Sequence, residues 1–267
     1  MAQLYSQLSG VLAGFALTAV FIVISHFLGE TTPSGRQAQS LGQALPGLLA
    51  ALLGLILSSL TYCIVAADGD HKGRALFEHI VAGVGFSVSG ALLIYATVLF
   101  IESVLPYDSA HYARRLLGQC LPLPVFALLC DGTYAYGKAS NEGRAPAWLG
   151  MLIALLLSVV LAISVLGFAA YGHPGLDRIR VTGDRFIKAI AVSGLLTVAV
   201  CLLGVEATMG IAGDGCSLPI GAAVAVTLGG FFAVLALSAW LFLTRPARPP
   251  VTAPPVPAPR ATGTPSP

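Results

Sequence analysis

A chain of 267 residues that is 56% hydrophobic and 10% charged, with a mean hydropathy of +0.85, lies outside the range of soluble globular domains, which cannot hide that much apolar surface. The net charge of +2 is small and the basic residues are scattered between apolar stretches, which excludes the clustered footprint of a nucleic-acid binder. Five cysteines (Cys63, Cys120, Cys130, Cys201 and Cys216) lie mostly in apolar segments without zinc-site or CxxC spacing, and read as small apolar fillers.

A membrane-crossing helix needs about 20 mostly apolar residues. Seven stretches fit or nearly fit, and they predict an all-α polytopic membrane bundle over residues 1–244. The first, Leu4–Leu28, has no basic segment before it and no clear cleavage site after it, so it reads as a mature helix and not a secretory signal. The second is Ala44–Ala67, and Asp68, Asp70 and His71 after it read as a solvated turn. The third, Ala75–Val104, carries Glu78 and His79 near its start and Glu102 near its end; His26 and Glu102 are expected to meet Arg114 and Arg115 in a structural polar patch. The fourth, Leu116–Tyr136, contains Pro122 and Pro124, expected to kink or break it, and then Asp131. The fifth (Ala147–Tyr171) and seventh (Leu218–Leu243) have no ionisable residue between Trp148 and Ala170 or between Leu218 and Leu243, and read as scaffold. The sixth, Phe186–Met209, holds Glu206 close to its end. Small residues four apart, Gly10 with Gly14 and Ala50 with Gly54, and the Gly229-Gly230 pair, predict close helix contacts.

Lys and Arg are retained on the cytoplasmic side of short loops. With seven spans, one face carries Lys72, Arg74, Lys138 and Arg144 and the other carries the remaining 10 basic residues, which predicts an outside N-terminus and a cytoplasmic C-terminus in a bacterial plasma membrane. Residues 245–267 hold nine of the 17 prolines and almost nothing apolar larger than Val, so this tail is expected to be disordered and cytoplasmic.

An acidic side chain among apolar residues costs a few kcal/mol or more, so the embedded acids need a reason to be there. Alternation of the spans brings Glu78 and His79, Asp131 and Tyr134, Glu206, and Tyr62 with Cys63 to one end of the bundle. Glu78, Asp131 and Glu206 are therefore candidate catalytic carboxylates around an apolar pocket, with Asp131, beside Gly132, the first choice for proton donor. Tyr62, Phe77, His79, Phe126 and Tyr134 are candidate substrate-binding residues, and Phe86, Tyr95 and Tyr136 add further ring faces. The competing reading makes each acid an ordinary helix-end charge, hydrated or paired with a residue such as Lys138.

The sequence lacks paired acidic clusters for magnesium diphosphate, a GxxxxGK[ST] loop, HExxH, GxSxG and a ladder of haem-ligating histidines, so no cofactor or metal is expected. Span count, size and isolated acids, Glu78 in Phe77-Glu78-His79 and Asp131 in Cys130-Asp131-Gly132, resemble the small seven-span membrane-integral terpene cyclases, including those of actinobacterial indole-sesquiterpenoid pathways. The resemblance covers about Leu4–Leu243 and is architectural; no residue role is carried over from it. It implies cofactor-free, proton-initiated cyclisation of a prenyl chain or its epoxide on a lipophilic substrate drawn from the lipid bilayer. A non-enzymatic proton-coupled carrier or accessory subunit is the alternative, with the same acids forming an ion path.

Overall fold

The computed structural model describes residues 2–29, 35–67, 72–104, 112–113, 116–117, 122–141, 146–170, 184–211 and 219–243. Seven helices are bounded among them: α1 (Ala2–Gly29), α2 (Gly35–Ala67), α3 (Lys72–Val104), α4 (Pro122–Ser140), α5 (Ala147–Ala170), α6 (Asp184–Ile211) and α7 (Ile220–Leu243). No strand occurs among the described residues, and four helices, α1, α2, α3 and α7, are long and apolar enough to cross a membrane. The acidic turn at 68–71, Arg114 and Arg115, Cys120, Cys216 and the tail at 245–267 lie outside the described residues, as does the side chain of His26.

The prolines of the fourth stretch stand where its described helix starts. Helix α4 begins at Pro122, so Pro122 and Pro124 occupy its first turn, where no backbone donor has an intrahelical acceptor and a fixed φ suits helix entry. The interior proline lies instead in α2, which starts at Gly35 and therefore encloses Pro46.

Helix α3 is the axis of the bundle: α2, α4, α6 and α7 all pack on it, α1 lies on α2 and barely touches α3, and α5 rests on α4. Helices α2, α4 and α6 run antiparallel to α3, and α7 runs parallel to it. Gly47 meets Ala96 and Gly54 meets Ser89 across α2 and α3, while Gly194 meets Leu92 and Gly204 meets Val81 across α6 and α3. A Cβ on Gly194 would stand 2.6 Å from Leu92, and one on Gly230 would stand 2.5 Å from Val84, so glycine sets how closely α6 and α7 approach the axis. The expected contact through Gly10 and Gly14 is not made. Helix α1 buries Ser9, Ala13, Ala16, Val20 and Val23, which turns both glycines away, and a Cβ on either would meet nothing; the same holds for Gly229.

Two hydroxyl contacts tie helices together. Thr133 of α4 is hydrogen-bonded to Thr227 of α7, both buried. At the start of α1, Ser6 and Ser59 of α2 bond reciprocally: Ser6 Oγ donates to the Ser59 carbonyl at 3.3 Å and Ser59 Oγ donates to the Ser6 carbonyl at 3.1 Å.

Candidate functional site

Antiparallel packing places the start of α1, the end of α2, the start of α3 and the second half of α4 at the same end of the bundle. Rings gather there. Tyr5 of α1 stacks on Tyr62 of α2 with centroids 5.4 Å apart, and the His79 imidazole of α3 meets both edge-on at 5.3 and 5.5 Å. One turn or two further along α3, Phe86 lies edge-on to both tyrosines at 6.3 Å. These four rings, with Gly83 and Ser87 of α3 and Leu128, Leu129 and Gly132 of α4, wall a cleft of about 20 Å³. That is room for roughly one water. Missing side chains keep the cleft open: a Cβ on Gly83 would sit 3.7 Å from the Tyr62 hydroxyl and 3.5 Å from Leu129.

The three candidate carboxylates occupy different environments. Glu78 is fully buried, and Arg74, one turn earlier on the same helix, holds its Nε 3.6 Å from Glu78 Oε1, so the buried charge has a partner within its own helix. Asp131 is exposed on α4, next in sequence to the cleft residue Gly132. Glu206 is exposed on α6, next to the fully buried Val205. The acids therefore share a depth but not a common interior. Alternation of spans fixes depth along the bundle; the rotation of each helix fixes which way a side chain faces.

Of the candidate binding residues, Tyr62 and His79 line the cleft. Phe77 packs behind it, edge-on to Tyr136 at 6.0 Å. Tyr134 is 45% exposed on α4. Phe126 faces another part of the bundle, fully buried 4.5 Å from Phe231 and packed with Cys130 and Val160. Tyr5 was not among the candidates read from the sequence, although its place at the start of the first span puts it at this end by the same alternation. Arg74 was likewise legible as the i,i+4 partner of Glu78. At the far end of α3, Glu102 is buried as well.

No group of three or more His, Cys, Asp or Glu side chains able to hold a metal occurs among the described residues. No protein-family model, curated protein or solved structure matches the chain.

Proposed function

We propose that all seven helices cross a bacterial plasma membrane, N-terminus outside, and that the cleft protonates an apolar prenyl group or its epoxide and so starts a cofactor-free cyclisation. The observation that carries this reading is the gathering of Tyr5, Tyr62, Phe86 and His79 around a cleft that Gly132, the neighbour of Asp131 in sequence, also lines. In this reading Asp131 is the proton source; adding the proton to an alkene or epoxide leaves a cation, and ring faces stabilise it. The cation ends by losing a proton, so no cofactor is consumed. Glu78, matched by Arg74, and Glu206 are the further carboxylates at the same depth.

Membranes containing the protein, incubated with plain and epoxidised prenyl-indoles, test the reading. Asp131→Asn preserves shape and removes the acid, so turnover should fall about 10²-fold or more with protein level unchanged. Full turnover in that variant removes the mechanism.

A second reading has one observation behind it: Glu78 and Glu102 are buried towards opposite ends of α3, and a proton path needs polar groups in both halves of the membrane. Proton flux into vesicles that is lost in both Glu78→Gln and Glu102→Gln would favour a proton-coupled carrier over a cyclase.

A further inference from the structure

The cleft takes one water as it stands, and a prenyl chain enters only if a wall moves. The walls are not equally held. Leu128, Leu129 and Gly132 belong to α4, which is packed on α3, α5 and α7 and bonded to α7 through Thr133 and Thr227. Gly83, Phe86 and Ser87 belong to the central axis. From α1 a single residue, Tyr5, enters the wall, and α1 lies on α2 with only a marginal touch on α3. The outward side of its first turns exposes Leu4, Leu8 and Val11 together with Gln3 and Gln7, so among the described helices only α2 holds it closely.

One residue beyond Tyr5 sits a compact hydrogen-bonded latch. Each hydroxyl of Ser6 and Ser59 lies within reach of the other's carbonyl, at 3.3 and 3.1 Å, and the two hydroxyls lie 3.2 Å apart. Ser6 Oγ also lies 3.1 Å from Cys63 Sγ, a contact in which either atom can donate. The latch is built of neutral, partly exposed hydrogen bonds between two helices, which are individually weak in membranes.

We propose that the first turns of α1 are a gate: with the Ser6–Ser59–Cys63 latch open they swing off α2, carry Tyr5 out of the wall, and admit an apolar chain sideways from the bilayer. This rests on the reading of the cleft as a prenyl site.

Native Cys63 supplies the test. Ser6→Cys places a second sulfur against it, within reach of a disulfide of about 2.05 Å. The full chain carrying Ser6→Cys, in phosphatidylcholine nanodiscs, is irradiated with a diazirine analogue of farnesol, and label on the Phe86 and Leu128–Gly132 peptides is read by mass spectrometry. Label in the reduced protein should fall about tenfold on oxidation, since the competent population is locked out, and return with reductant. Adding Tyr5→Ala should restore label in the oxidised protein, because the leaf is gone while the latch stays shut. Equal labelling of the oxidised and reduced forms overturns the gate and leaves the prenyl reading standing. No label in any form, Tyr5→Ala included, overturns both. An oxidised protein that stays unlabelled with Tyr5→Ala shows that the crosslink spoils the cleft itself, and that too overturns the gate.

Discussion

Helices α3 and α1 are both long and apolar enough to cross a membrane, yet the apolar window of α3 is 61% buried and that of α1 28% buried. Composition does not separate them, because lipid and the interior of a membrane bundle are equally apolar and neither repels Leu or Phe. What separates them is where the small residues point. Partner helices bring Gly47, Gly54, Gly194, Gly204 and Gly230 against α3, so backbones close in on it from several sides. The Gly10-to-Gly14 pair of α1 has the same spacing and meets nothing. A small-residue motif therefore reports a capacity for close packing, and the fold decides whether it is used.

Substitutions can break or sharpen this contrast. The largest expected effect is the loss of a ring from the packed region: Phe126→Ala, removing a fully buried ring against Phe231, should lower stability by about 3 kcal/mol, whereas Phe15→Ala on α1, 65% exposed, should change it by less than about 0.5 kcal/mol. Thermal unfolding of the purified protein in detergent reads both, and equal losses would mean that α1 is packed on something further. Overfilling comes next. Gly194→Val drives a branched side chain into Leu92 and should cost about 2 kcal/mol, while Gly10→Val and Gly14→Val should be nearly silent. If the α1 variants unfold as readily as the α6 variant, the two faces are alike after all. The smallest effect is polar: Thr133→Val removes the α4–α7 hydroxyl contact and should cost about 0.6 kcal/mol, the usual size of an interhelical hydrogen bond in a membrane protein, visible as a small shift of the same transition.

The sequence made depth legible and direction illegible. Counting alternate spans was enough to bring Tyr62, His79, Glu78 and Asp131 to one level, because level depends only on where each apolar run begins and ends. It could not say that Asp131 and Glu206 face outward or that Phe126 turns towards Phe231. In a helix with one polar face that face marks its own azimuth; α4 and α6 carry few polar residues, and the periodic signal that would fix rotation is weak. Proline was the more direct signal: Pro122 and Pro124, read as interruptions of a run from Leu116, stand in the first turn of α4. Tyr5 was missed because an apolar run near a chain start offers no acid or histidine to draw attention to it.

The threonine contact between α4 and α7 contains an arithmetic that the heavy atoms hide. Thr133 Oγ1 lies 2.8 Å from the Leu129 carbonyl, Thr227 Oγ1 lies 2.9 Å from the Ala223 carbonyl, and the two hydroxyls also bond each other. Three hydrogen bonds are drawn, but two hydroxyls own only two protons. When one threonine donates across the gap it gives up the bond to its own helix, while the other keeps its own. The two arrangements differ only in which hydrogen points where. Either leaves the oxygens in place, so the junction between α4 and α7 does not depend on which threonine is the donor.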